Sequence, residues 1–245
     1  MKTHYLFTTT MVIMTVLSGC GSASEEDTDA TQNSKYYNIC LVLDGSDRLS
    51  EQNNVPLVTS EELAELGRTL SEEGIGSLYV SYVDNDCDNN HVAILEWQEE
   101  RPAALGEKPG YMKMAKYNEL QETANKKDNE YKKRLEEALE AFAAESDAIL
   151  ASAYSDEVAK QKKGSDVNGA INKANRLLRA SNIDSEYSYI ILVSDGCDNV
   201  GNTLLDFPLN TELVIVNSNV SKHQYGGLVS HEFVTLKQAI KYIFK

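Results

Sequence analysis

The chain has 245 residues, 42% of them hydrophobic, with 23 Lys and Arg against 38 Asp and Glu. That length suffices for one domain with a sizeable core plus a tail or insertion. A net charge of −15 argues against a nucleic-acid binder, because phosphates would be repelled rather than neutralised.

Residues 1–19 read as a secretory signal peptide. Lys2 and His4 precede an apolar run over residues 11–17, and Ser18-Gly19-Cys20 supplies small residues at a cleavage point. The run is too short and too threonine-rich for a spanning helix. Leu17-Ser18-Gly19-Cys20 resembles the lipobox of bacterial lipoproteins, in which the cysteine becomes the lipid-bearing first residue. The resemblance implies lipidation at Cys20 and an anchor in the bilayer, since several acyl chains hold stably where one does not. Loss of Lys2 then leaves a charge of −16. The implied location is the bacterial cell envelope. By analogy with enterobacterial sorting, where Asp after the cysteine retains the inner membrane, Gly21 favours the outer membrane.

Residues 20–35 form a linker after the signal. Between residues 21 and 34 there is no large apolar side chain, which predicts disorder. Fourteen such residues reach roughly 20 Å, at about 5–6 Å × √n.

The domain proper is predicted over residues 36–245. Asn38-Ile39-Cys40-Leu41-Val42-Leu43 and Tyr189-Ile190-Ile191-Leu192-Val193 are short apolar runs rich in β-branched residues. They read as strands of a parallel sheet buried on both faces. Thr59-Ser60-Glu61-Glu62 is a capping box; Leu63, Leu66 and Leu70 mark the helix face, and Gly74 and Gly76 are expected to end that helix. Residues 78–83 and 92–97 read as two strands of an antiparallel hairpin. Residues 111–162 lack proline and, up to the end of the run, glycine, and have helix composition. An unbroken helix of that length would run on the order of 75 Å. Its first part is almost wholly polar, whereas Leu135, Leu139, Phe142 and Ile149 form an apolar stripe. A solvated helix with one packed end and a partner-binding arm both fit this pattern.

The next helix is predicted from Asp166, with Val167, Ala170, Ile171, Ala174, Leu177 and Leu178 on one face. Residues 213–216 and 233–234 read as further strands, and Leu236, Ile240 and Ile243 as the face of a closing helix. The order predicts an α/β fold: a mostly parallel central sheet with one antiparallel hairpin strand, helices on both faces, and a long helical insertion.

Each long apolar run ends in an aspartate and a glycine, Asp44-Gly45 and Asp195-Gly196. Carboxylates there would share the crevice at the sheet's carboxyl edge, where open α/β folds bind ligands. Gly164-Ser165-Asp166 opens a helix that the order brings to the same edge. Asp44, Ser46, Ser165 and Asp195 are then a set of hard oxygen donors of the kind Mg²⁺ takes.

Asp44-Gly45-Ser46-Asp47-Arg48 resembles the Asp-x-Ser-x-Ser signature of the von Willebrand factor A-type domain. Gly164-Ser165-Asp166 resembles that family's Gly-Thr-Asp/Asn segment, and Ser194-Asp195-Gly196 its second acidic element. The resemblance implies a Mg²⁺ site, Mn²⁺ being the other candidate, with Asp44, Ser46, Ser165 and Asp195 as ligands. It also implies a non-enzymatic module that binds a protein partner, whose acidic side chain fills the open vertex. Arg48 departs from the pattern: it stands where the family has its second serine. A guanidinium only donates and carries a permanent charge, so it opposes a nearby cation and can itself pair with a carboxylate.

Two other functions fit parts of the chain. Leu41-Val42-Leu43-Asp44-Gly45-Ser46 is also similar to the nucleophile strand of haloacid-dehalogenase-type phosphatases, although Ser46 stands where those enzymes carry an acid. A metal-free scaffold acting through the long helix is the other. Asp84-Asn85-Asp86-Cys87-Asp88 imitates a calcium loop, but Asn89 stands at the glycine position and Leu95 at the glutamate position. His91, His223 and His231 have no zinc-ligand spacing with the cysteines. In an oxidising compartment Cys40, Cys87 and Cys197 remain to be assigned. Cys40 reads as a buried strand residue, and Cys87 and Cys197 as a disulfide candidate between two loops at one sheet edge.

Overall fold

The computed structural model describes residues 35–46, 55–84, 87–160, 165–181, 185–196, 205, 210–217, 225 and 228–245. Residues 1–34, which hold the expected signal peptide, Cys20 and linker, and Arg48, Gly164 and Cys197 lie outside the described residues. Ser34–Lys245 is one compact unit, and the whole described core lies within it.

Six strands form the sheet: β1 (Lys35–Leu43), β2 (Gly74–Tyr82), β3 (Ala93–Trp97), β4 (Tyr187–Val193), β5 (Thr211–Val216) and β6 (Val229–Phe233). Their order across the sheet is β3-β2-β1-β4-β5-β6. All pairs are parallel except β2–β3. The chain leaves β1 first toward β2 and later returns on its other side with β4. The boundary between β1 and β4 is therefore the topological switch point, where carboxyl-edge crevices open in such sheets.

The strands sort their side chains by alternation. Tyr37, Ile39, Leu41 and Leu43 of β1 face one side, with α1 (Ser60–Glu73), the second half of α2 (Met114–Ala153) and α5 (Leu236–Ile243). Cys40 and Val42 face the other, against Val167, Ala170, Ile171, Ala174 and Leu178 of α4 (Val167–Ala180). The sheet is thus covered on both faces by helices, which explains its unbroken apolar strands. Gly67 lets α1 approach α2: a β-carbon there would stand 3.2 Å from Leu139 and 3.5 Å from Phe142.

Several boundaries differ from the sequence reading. Thr59 does form the predicted capping box with Glu62, and Gly74 caps the end of α1. Gly74 and Gly76, however, belong to β2, paired with Lys35 and Tyr37. A β-carbon would fall 2.2 Å from the Lys35 carbonyl oxygen on Gly74 and 1.8 Å from that of Tyr37 on Gly76, so Gly74 both ends α1 and opens β2, while Gly76 serves close strand approach. The last strand is Val229–Phe233 rather than 233–234. The long helix is 40 residues, about 60 Å, and ends at Ala153. There Ser155 starts a new turn, α3 (Asp156–Ala159), by accepting from the Val158 amide.

Along α2 the burial is lopsided. Its buried residues are Tyr131, Phe142, Ser146, Ile149, Leu150 and Ala153. The polar first part carries its own i,i+4 ion pairs, Lys126–Glu130, Asp128–Lys132 and Lys133–Glu137, which support a solvated helix.

Candidate functional site

The site grows from the end of β1. The Asp44 amide donates to the Val193 carbonyl (2.9 Å), so the ladder holds both strand ends in register up to the loops. Asp44 then closes an Asx-type turn: its Oδ1 accepts from the Ser46 amide at 3.0 Å and from the Ser46 hydroxyl at 2.6 Å. Its Oδ2 accepts from the Ser194 hydroxyl at 2.6 Å, across the switch point at the end of β4. Ser194 is itself fixed, because its Oγ accepts from the Gly196 amide and its carbonyl from Asn217 Nδ2.

Ser165 arrives from the other side of the crevice. Its hydroxyl donates to Ser46 Oγ at 2.5 Å. The next residue, Asp166, accepts from the Gly169 amide through its side chain and so caps α4. That start of α4 is tied to the β2–β3 connection. Cys87 Sγ donates to the Asp84 and Asp166 carbonyls, Lys173 Nζ donates to the Asn90 carbonyl, and Arg176 pairs with Asp88.

Three of the four predicted site residues are therefore joined in one chain of oxygens, Asp44–Ser46–Ser165. Asp195, one residue beyond Ser194, is exposed, and its charge reaches Asp44. The Asp44 carboxyl is raised from its ordinary value. Burial is the largest cause; the Ser194 and Ser46 hydrogen bonds oppose it, and the Asp195 charge adds to it. Asp44 is only 5% exposed, and among the described residues its hydrogen-bond partners are neutral donors. The long helix also ends here. A β-carbon on Gly45 would fall 1.8 Å from the Ala153 carbonyl oxygen, the last residue of α2. A helix C-terminus carries roughly half a negative charge, so it too disfavours a bare carboxylate beside it.

The donors are of the chemical type a small hard cation takes, carboxylate and hydroxyl oxygens. The oxygens stand 2.5 and 2.6 Å apart as hydrogen-bonded partners, closer than the about 2.9 Å between neighbouring ligands around Mg²⁺ at metal–oxygen distances of about 2.05 Å, so they would move slightly apart to share a cation. Two carboxylates and two hydroxyls would leave positions for water or an outside oxygen. Among the described residues there is no group of three or more His, Cys, Asp and Glu placed for a metal. A cation here would rely on hydroxyls as much as on carboxylates.

Ser194 is the contact of Asp44 that sequence reasoning passed over. In the sequence it is only the small residue before Asp195, and nothing there says that its hydroxyl turns back to Asp44. Cys40 and Cys87 are both buried thiols in this structure. The proposed partner of Cys87, Cys197, lies outside the described residues.

No family model, no curated protein and no solved structure matches this chain.

Proposed function

We propose that this chain is an envelope-tethered binding module of the von Willebrand factor A type. Asp44, Ser46, Ser165 and Asp195 would hold Mg²⁺ or Mn²⁺, and the module would capture a protein partner through an acidic side chain. The observation that carries this reading is the Asp44 carboxylate, buried at the switch point with only neutral hydrogen-bond partners among the described residues. Burying an unpaired charge is costly, and such groups in proteins are ordinarily paired or bound to a metal. The resemblance of Asp44-Gly45-Ser46, Gly164-Ser165-Asp166 and Ser194-Asp195-Gly196 to the family's three site segments supports the same reading.

When bound, the cation would supply a Lewis-acidic position for an oxygen of the partner. The chain's own residues do the rest. Ser194 and the Ser46 amide fix the plane of the Asp44 carboxylate, and Ser46 and Ser165 present hydroxyl oxygens beside it. The end of α2 closes the crevice behind Gly45. The tether is proposed at Cys20, with the outer membrane favoured over the inner. The catalytic alternative requires phosphate-ester turnover, which the binding reading does not.

Capture from native envelope extract tests the reading, using the wild type, Asp44→Ala, and the wild type with EDTA. A partner held by the wild type alone supports it. A partner held equally in all three contradicts it.

A further inference from the structure

The first part of α2 and the chain leading into it form a finger. After β3, Glu99 pairs with Arg134 and Arg101 with Asp128, and the Gly106 carbonyl accepts from the Tyr117 hydroxyl. The segment 98–113 thus climbs along α2 toward its N-terminus, turns, and comes back down as the helix. Lys108 Nζ closes the turn by donating to the Pro109 and Met112 carbonyls.

The finger's base is fixed at one sheet edge. Tyr131 packs on Ile75 and Trp97 and donates to the Ser71 carbonyl, all at the amino end of β2. Ala153 lies at the opposite, carboxyl edge, against Gly45. Residues 131–153 therefore span the sheet's height, and the roughly 17 residues before them, about 25 Å of helix, continue past the amino edge. Lys35, where the N-terminal chain enters the sheet, is at that same edge and pairs with Gly74.

The fingertip combines exposed apolar side chains with a local positive charge. Leu105, Tyr111 and Met114 are exposed there, Tyr111 at 90% and Met114 at 60%. Residues 105–117 hold three lysines (Lys108, Lys113 and Lys116) and one acid (Glu107), a net charge of +2 in a chain of −15. The helix start also breaks the usual rule for helix ends. Its N-cap is Lys113, with no side-chain cap, and no acid stands in the first turn. Lysines gathered at the positive end of a helix dipole are unfavourable on their own. A local rule broken without compensation marks a site whose compensation lies elsewhere.

We propose that this fingertip rests on an anionic lipid surface. Tyr111, Met114 and Leu105 would enter the interface, and Lys113 and Lys116 would meet headgroup phosphates. Charge complementarity favours this occupant, and so does the place where the outside chain attaches: on the tethered reading 15 residues, from Cys20 to Ser34, lead from the acyl site to Lys35 at the finger's own edge. The inference rests on the tethered reading for its geometry. An anchor at Cys20 would keep the finger's edge within the linker's reach of the membrane, and a fingertip resting there would leave the Asp44 crevice on the far side, open to a partner.

Flotation of residues 34–245 with vesicles is the test. That unit carries the whole described core and lacks both the signal and the acyl site. Vesicles of phosphatidylethanolamine and phosphatidylglycerol (3:1) are compared with pure phosphatidylcholine, at low and high salt. The wild type floats with the anionic vesicles at low salt, at least fivefold above phosphatidylcholine, and salt releases it. Tyr111→Ser/Met114→Ser and Lys113→Glu/Lys116→Glu both lose the binding while their melting temperatures stay at the wild-type value. Wild type that stays unbound at low salt overturns the proposal, as does equal flotation of the variants. Capture of an envelope protein through the tip, without flotation, overturns it in favour of a protein partner. Intact mass of the full chain reports acylation at Cys20 separately, so failure of the anchor and failure of the fingertip are distinct results.

Discussion

Gly45 lies against the carbonyl of Ala153, so close that a β-carbon on Gly45 would stand 1.8 Å from that oxygen and 3.1 Å from the Tyr154 ring. The loop that carries Asp44 and Ser46 is therefore seated on the end of the long helix. Tyr154 continues the clamp by accepting the Val58 amide at 2.9 Å. Gly45→Ala forces the helix end or the loop to move. It should destabilise the fold by about 1–3 kcal/mol, the usual range for overpacking, and displace the Asp44–Ser46–Ser165 chain. Urea unfolding measures the first effect and the cation affinity of the folded variant the second.

Ser194→Ala removes one of the donors that hold Asp44 and leaves Oδ2 buried without a partner. The expected cost is about 1–3 kcal/mol. Ser194→Thr keeps a hydroxyl and should recover most of it. Equal loss in both variants would show that the hydroxyl is not what Asp44 needs.

Phe142 tests how α2 is held. It is 1% exposed and packs between α1 and the sheet, so Phe142→Ala should cost about 3–5 kcal/mol. Lys126→Ala, in the solvated half of the same helix, removes one exposed ion pair with Glu130 and should cost less than about 0.5 kcal/mol. Chemical denaturation of the two variants compares the packed and projecting halves directly.

Much of this arrangement is legible in the sequence, where the signal is local. The Thr59–Glu62 capping box, the Asp166 helix start and the two Asp-Gly strand ends depend on neighbours within a few residues, and all lie where the pattern puts them. The rest depends on partners far along the chain. Gly45 looks like turn chemistry until Ala153, more than a hundred residues later, is beside it. Gly74 reads correctly as the stop of α1, but the sequence does not reveal that Gly74 and Gly76 open β2 with β1 in contact beside them. The break after Ala153 has no proline or glycine to announce it; Ser155 supplies it by capping a new turn. The doubling back of residues 98–113 rests on three polar contacts that no periodicity predicts.

Cys40 is enclosed on all sides, and burial pushes its thiol up to about 12 from an ordinary 9.0. The thiolate that reacts with iodoacetamide is then about one part in ten thousand at pH 8. Cys40 should stay unlabelled in the folded protein and react fully after unfolding. A peptide map of the labelled protein also decides whether Cys87 remains a thiol or pairs with Cys197. Labelling of Cys40 in the native state would mean that β1 is not buried on its α4 face.

Titration calorimetry of Mg²⁺ and Mn²⁺ into the wild type, Asp44→Ala and Arg48→Ser bears most directly on the proposed site. Removing the guanidinium takes away a positive charge and adds a hydroxyl ligand, and both changes favour a cation. The account predicts measurable binding by the wild type, none by Asp44→Ala, and tighter binding by Arg48→Ser. A silent wild type together with a silent Arg48→Ser would contradict it.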